Sequence, residues 1–154
     1  MKKIVAATAL IGALIGATTV QAQSFAPAKG EDALRYRQST LFLMGQHFGV
    51  LGAMAKGDRP FDAASFAWNA KEVENFSHLP WDSFWVAGAD QGKHRMKPEI
   101  FTEKDKFLGY AKQLQDETAK LVQVASGSDV AAAKAQVAAT GKACGQCHDA
   151  FRVK

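Results

Sequence analysis

Two cysteines and a histidine close to the end of the sequence have a spacing that can support chemistry. Cys144, Cys147 and His148 form the pattern C-x-x-C-H. Cysteines three positions apart lie on one face of a helix, so both sulfur atoms can bond the two vinyl groups of one porphyrin. The histidine that follows can then place its imidazole on the iron as an axial ligand. The motif therefore predicts haem c, attached covalently through both cysteines, with His148 as the iron ligand.

Three other uses of two cysteines compete with haem attachment. A thioredoxin-like redox pair needs a βαβ setting, and the sequence lacks the alternating pattern of strands. A structural zinc site needs four ligands, and the other histidines show no paired spacing; they are His47, His78 and His94. A disulfide would leave His148 without a role. Haem c accounts for all three residues of the motif.

The N-terminal residues predict export. A pair of lysines precedes an uncharged stretch from Ile4 to Val20, and Val20-Gln21-Ala22 places small residues where a signal peptidase cleaves. We expect a signal peptide over residues 1–22 and a mature chain that begins at Gln23. The alternative is a membrane anchor, but the stretch contains two glycines and falls short of the ~20 residues of a membrane span. In a bacterium the mature protein would be periplasmic, where haem c is attached, and free of the membrane.

Four segments of the mature chain carry apolar residues at helical spacing. They cover residues 31–56, 61–78, 98–125 and 130–151. Glycine, proline and serine separate them, and residues 80–97 predict a long loop with at most one helical turn. We therefore expect an all-α domain over residues 23–154, built as an antiparallel four-helix bundle with covalently bound haem.

The composition excludes several classes of protein. Of the 154 residues, 47% are hydrophobic and 22% are charged, which is typical of a globular chain and not of a disordered one. Two cysteines are too few for a disulfide framework. The formal net charge of +4 comes without a run of Lys or Arg, so no nucleic-acid partner is expected.

Several segments together resemble the cytochrome c′ family, the class II c-type cytochromes. The resemblance covers essentially the whole mature chain. It is carried by Tyr36-Arg37-Gln38 with Leu41 and Met44, Lys56-Gly57, Pro60-Phe61-Asp62-Ala63-Ala64, Leu79-Pro80-Trp81, Lys97-Pro98-Glu99-Ile100 and the segment from Cys144 to Arg152. The C-x-x-C-H motif alone is shared by all c-type cytochromes, whereas its combination with Arg37-Gln38 on a first helix is more specific.

This resemblance implies a homodimer with one haem per subunit and a five-coordinate, high-spin iron in a closed apolar distal pocket. Members of the family bind nitric oxide and carbon monoxide, and their suggested roles are electron transfer and protection against nitric oxide. We therefore expect a gas-binding haem protein that can exchange electrons with a redox partner and is not an enzyme. A reductase or peroxidase would need an acid–base group near the iron, and none is visible beside Leu41. The alternative is a six-coordinate, low-spin electron carrier with a methionine such as Met44 as the sixth ligand.

The resemblance also implies roles for residues of the first helix. Arg37 and Gln38 match residues that contact the haem propionates, and Leu41 matches the distal residue over the iron. The position of Arg37 one turn from Leu41 agrees with this role, because a buried arginine requires an anion and a propionate would provide one.

Residues on the proximal side follow in the same way. Arg152 matches a basic residue beside the proximal face, and it lies one helical turn after His148. In the family the loop before Pro98 touches the haem, and here Arg95 or Met96 is the expected contact.

The dimer is expected to form through the first two helices, where large aromatic side chains are abundant. They are Phe42, Phe48, Phe61, Phe66, Trp68 and Phe76. Large apolar side chains beyond those that a small core needs often mark an interface.

Overall fold

A computed structural model describes residues 25–154 of the chain. Within them lie five α-helices: α1 (Gly30–Lys56), α2 (Ala63–Ser77), α3 (Glu99–Thr102), α4 (Lys104–Ala125) and α5 (Val130–Phe151). A 3₁₀ helix, Trp81–Trp85, follows α2. The β structure of this part of the chain is limited to one isolated bridge between Met96 and Arg152. The all-α prediction is confirmed, while the predicted signal peptide over residues 1–22 lies outside the described residues.

The four long helices form a bundle in which each helix packs on its neighbour in the sequence. The contacts of α1 with α2, of α2 with α4 and of α4 with α5 are extensive, whereas α1 and α5 meet along a sparser seam. Neighbouring helices joined by short turns run antiparallel, as the sequence predicted. No helix within residues 25–154 has both the length and the apolar character needed to cross a bilayer.

Local residues explain where the long helices begin and end. α1 ends at Lys56 because the next residue, Gly57, has a φ of 88°, the left-handed conformation that glycine adopts without strain. The side chain of Asp62 accepts a hydrogen bond from the Ser65 N–H at the start of α2. The side chain of Asp129 accepts one from the Ala132 N–H at the start of α5. Short polar side chains at these positions satisfy N–H groups that the helix itself leaves free.

The third predicted helix, over residues 98–125, is wrong in one respect because the chain breaks at Glu103. The φ and ψ of Glu103 are −118° and 44°, and its N–H returns to the Glu99 carbonyl at 2.8 Å. The Thr102 hydroxyl donates to the same oxygen. These two hydrogen bonds end α3, and α4 begins as a separate helix at Lys104. Ile100 and Phe107 are nonetheless both buried, which is why the apolar pattern continues through the break.

The core formed by residues 25–154 consists of two clusters. The first lies among the four long helices and contains Met44, Leu51, Met54, Phe66, Ala70, Val73, Leu114, Leu121, Ala133, Val137 and Ala143. The second cluster contains Phe84, Ile100, Phe107 and Phe151, and the rings of Phe84 and Phe151 pack on that of Phe107. Trp81 and Trp85 pack against the second cluster, and Trp81 also borders the first.

The predicted loop between α2 and α3 contains an ordered segment, residues 86–97, that we call the strap. Its first part lies against the start of α1, where Gly30 is so close to the Gly88 backbone that a Cβ atom would overlap it. The Gln38 amide of α1 donates to the Lys93 carbonyl at 2.9 Å. At the other end, the Lys97 N–H donates to the carbonyl of Phe151 at 2.9 Å. The strap thus connects the beginning of the first helix with the end of the last.

Candidate functional site

The three residues of the C-x-x-C-H motif lie in the last two turns of α5, in unbroken helix. Cys144 and Cys147 are half-buried free thiols, and they pack against the first and the second core cluster respectively. Burial raises the pKa of Cys144 and, with a smaller contribution from Cys144 itself, raises the pKa of Cys147 to about 11. Both sulfur atoms therefore carry protons at neutral pH and face apolar surroundings suited to a porphyrin.

His148 follows at the surface of the chain. Partial loss of hydration, together with the charge of Arg95, lowers the pKa of His148 below its ordinary value. The imidazole is therefore neutral at pH 7, which is the form that binds a metal ion. A cavity of about 510 Å³ adjoins it, lined by Arg95, Lys97, His148, Asp149, Arg152, Val153 and Lys154. The structure thus brings Arg95 and Arg152 to the side of His148.

Arg37 is buried, with 3% of its surface exposed, and its side-chain hydrogen bonds go to the chain that precedes α3. The guanidinium donates to the carbonyls of Ala89 at 2.6 Å and Ser83 at 3.3 Å. It lies 4.8 Å from the centroid of the Phe84 ring. Burial lowers the pKa of Arg37, and the charge of Asp90 opposes this effect. Positioning of the strap is a role for Arg37 that the sequence did not predict.

Gln38 and Leu41 lie on the next positions of α1. Gln38 is exposed and holds the strap through Lys93. Leu41 is half-buried and packs against both core clusters. Leu41 thus borders the first cluster together with Cys144 and the second cluster together with Cys147.

The sequence indicated Met96 only as an alternative to Arg95 for the haem contact of this loop, and it indicated no role for Lys97. The Met96 sulfur accepts from Arg37 at 3.4 Å, so this methionine contacts the buried cation. The Lys97 ammonium donates to the Asp149 carbonyl, in the turn after His148. No local spacing rule joins residues 52 positions apart, so the sequence carried no signal for the second contact. Met44, the candidate sixth ligand of the alternative, is buried in the first core cluster.

Two observations indicate that these residues fit a haem group. Arg37 is a buried cation whose hydrogen-bond acceptors are neutral, and a carboxylate would complement it. The helices that carry the predicted contacts, α1 and α5, pack sparsely on each other. Cys144 and Cys147 would hold the porphyrin here.

Comparisons with known proteins agree with this geometry. A sequence model described as cytochrome C′ matches residues 32–152. Cytochrome c′ from Alcaligenes xylosoxydans xylosoxydans is 39% identical over 127 residues, which cover 82% of this chain and 98% of that protein.

Solved structures show the same similarity. Cytochrome c′ from Shewanella frigidimarina superposes with a TM-score of 0.78 at 37% identity, covering 82% of this chain and 98% of that one. A mutant of cytochrome c′ from Alcaligenes xylosoxidans, solved as a nitric oxide complex, gives a TM-score of 0.75 at 35% identity with the same coverage. The bundle, the C-x-x-C-H motif at the end of α5 and the match over residues 32–152 lead to one conclusion: the chain belongs to the cytochrome c′ family, and its cofactor is haem c.

Proposed function

We propose that this protein is a periplasmic gas-binding cytochrome whose five-coordinate iron binds nitric oxide and carbon monoxide and can also transfer electrons. The observation that carries the proposal is the placement of Leu41, an apolar side chain of α1 that borders the same core clusters as the two attachment cysteines. When bound, the haem supplies an iron atom that changes oxidation state and coordinates a diatomic gas. Export by the predicted signal peptide over residues 1–22 would deliver the chain to the compartment where haem c is attached.

The distal residue explains the expected selectivity. A leucine side chain cannot coordinate iron and offers no hydrogen bond to a bound gas. Oxygen gains most from such a donor because it acquires negative charge on binding, whereas nitric oxide and carbon monoxide depend on it less. A nitric oxide complex is known for a relative from Alcaligenes xylosoxidans that is 35% identical to this chain, which supports the proposal.

Charged residues would bind the remaining parts of the cofactor. His148, neutral at pH 7, would be the proximal ligand, with Arg95 and Arg152 beside it in the cavity. Arg37 and Gln38 would bind the propionates. A propionate would give the buried Arg37 guanidinium the anion that its present acceptors, two carbonyl oxygens and a sulfur atom, do not provide.

A homodimer through α1 and α2 is part of the same proposal. Among the six aromatic residues of this region, Phe66 is buried and Phe42 and Trp68 are 63% and 59% exposed. Leu43, next to Phe42 on α1, is 42% exposed. The three exposed side chains, Phe42, Leu43 and Trp68, are the proposed centre of the interface. Sedimentation of the holoprotein at micromolar concentration should give twice the monomer mass, and Phe42→Ser should shift the equilibrium toward the monomer. A wild-type monomer would contradict the proposal.

Absorption and electron paramagnetic resonance spectra of the holoprotein test the open iron site. The wild type should be high-spin, with no sulfur–iron charge-transfer band. Leu41→Ala should speed carbon monoxide association about tenfold, because relief of overpacking of this kind is worth about 1–3 kcal/mol. Leu41→Met should move the iron toward the low-spin state. Leu79→Ala is the matched control, since it shortens a leucine that is 41% exposed and lies outside both α1 and α2.

Two outcomes would contradict this scheme in different ways. A low-spin wild type with a sulfur–iron band would establish the six-coordinate electron carrier instead. A high-spin wild type with unchanged kinetics in Leu41→Ala would leave the open site in place and show that Leu41 does not control access to it.

A further inference from the structure

The end of α5 leaves four main-chain carbonyl groups without partners inside the helix. Three of them are satisfied by a single residue of the strap. The Lys97 ammonium donates to the carbonyls of Asp149 at 2.8 Å and Ala150 at 3.2 Å, and the Lys97 N–H donates to the carbonyl of Phe151 at 2.9 Å. The fourth carbonyl, that of His148, accepts the N–H of Arg152 at 3.0 Å. Lys97 therefore provides most of the cap of this helix.

The capped carbonyls belong to the turn that begins with His148. The C-terminal end of a helix carries partial negative charge, so an ammonium group placed there is stabilised electrostatically as well as by hydrogen bonds. Lys97 is half-buried, and the ion pairs between described side chains do not involve it. Its charge is thus directed to the end of α5 and not to a carboxylate.

Main-chain pairing holds Lys97 in this position. The Val153 N–H donates to the Arg95 carbonyl at 2.8 Å, and Met96 and Arg152 form the isolated antiparallel bridge. Together with the Lys97 N–H, these contacts fix the strap along the end of α5. The lysine side chain then needs only to reach one turn back along the helix.

We propose that Lys97 is a positioning residue for the axial histidine: its cap holds the last turn of α5, and so fixes the direction in which His148 presents its imidazole to iron. This rests on the proposed role of His148 as proximal ligand, and it adds a residue that makes no contact with the iron itself. Loss of the cap would free the Asp149 and Ala150 carbonyls and allow the turn to open and reclose. The histidine would then sample several orientations.

Three variants of the holoprotein separate positioning from charge. Lys97→Met removes the ammonium group and keeps a chain of similar length, Lys97→Arg keeps the charge and the donors, and Lys93→Met removes a positive charge from the same strap. Lys93 is an exposed residue, and the only hydrogen bond that ties it to α1 uses its main-chain carbonyl, which the substitution retains. Lys97→Gln, with one amide donor, is a milder variant that should show an intermediate effect.

Two measurements report on the turn and on the histidine. Amide hydrogen exchange over residues 149–153 should be about tenfold faster in Lys97→Met, since the last turn loses both hydrogen bonds that the ammonium group donates. The paramagnetically shifted proton signals of the His148 ring should move and broaden in the ferric protein. Lys97→Arg should restore both properties, and Lys93→Met should match the wild type.

The proposal is overturned if Lys97→Met leaves the His148 signals in place, or if Lys93→Met moves them equally, since charge alone would then explain the effect. The ring signals are measurable in high-spin and low-spin iron. A low-spin wild type would therefore refute the open site without removing the test of Lys97. If the wild type shows no paramagnetically shifted signals from the His148 ring, the assignment of His148 as the iron ligand is refuted.

Discussion

Replacement of Arg37 by methionine tests whether a buried cation holds the strap to α1. The guanidinium bond to Ala89 is 2.6 Å, whereas the bond to Ser83 is 3.3 Å, beyond the usual range. Bonds from a charged donor contribute about 1.5–3 kcal/mol each, so the short one belongs at the upper end and the long one below the lower end. The contact with the Phe84 ring adds about 1 kcal/mol. The interactions lost thus total roughly 5 kcal/mol.

The net effect is smaller because the substitution also relieves the burial of a charge, which costs several kcal/mol. We expect the free energy of unfolding to fall by about 2 kcal/mol in Arg37→Met and by about 1 kcal/mol in Arg37→Lys, which keeps the charge and one donor. Urea unfolding of the holoprotein measures the loss. Amide exchange in residues 86–97 should rise in the same order, because the strap loses its attachment.

The matched control is Arg35→Met, on the same helix. Arg35 is exposed and, within residues 25–154, pairs only with Glu31, so its replacement should change the free energy of unfolding by no more than about 0.5 kcal/mol. Equal losses for the two arginines, or unchanged exchange in the strap of Arg37→Met, would refute the reasoning that the buried guanidinium holds this segment.

Two further predictions concern stability. Gly30→Ala should lower the free energy of unfolding by about 1–3 kcal/mol, because the new Cβ overlaps the Gly88 backbone. Gly45→Ala, which has open space around it, should not lower the free energy of unfolding in the same urea titration. The pKa of Glu74 is held below its ordinary value mainly by a hydrogen bond from the Lys71 side chain. The stability that this carboxylate contributes is therefore present above its unfolded pKa and is lost as the pH falls through the lower folded value. Glu74→Gln should cost about 0.5 kcal/mol at pH 7, and this difference should shrink as the pH falls through the lowered pKa of Glu74; a pH-independent cost for Glu74→Gln would contradict this explanation.

Features set by neighbouring residues could be predicted from the sequence. The C-x-x-C-H pattern is local, and so are the apolar spacings that place α1 over Gly30–Lys56 and α5 over Val130–Phe151 within a residue of the expected bounds. The break at Glu103 escaped prediction because the apolar pattern continues across it, while the hydrogen bonds that close the turn leave no mark on that pattern.

Features that depend on distant parts of the chain could not be predicted in the same way. Arg37 was expected to be buried and to need an acceptor, but its bonds to Ser83 and Ala89 depend on the path of the chain after α2. The exposure of Phe42 and Trp68, against the burial of Phe66, depends on which face of each helix meets the bundle. Spacing within a helix defines that face only when the positions of its neighbours are known.

The sparse seam between α1 and α5 has a consequence for the order in which the protein forms. Every extensive helix contact joins neighbours along the sequence, which favours rapid folding from local pairs. Closure of the seam instead joins the first helix to the last, at the greatest loop-closure entropy in the bundle. A porphyrin bound to the cysteines of α5 and touching Leu41 of α1 would serve as a cross-link over that distance. We expect the chain without its cofactor to form the contacts α1–α2, α2–α4 and α4–α5 quickly. Attachment of haem would then be the step that completes the packing of α1 on α5.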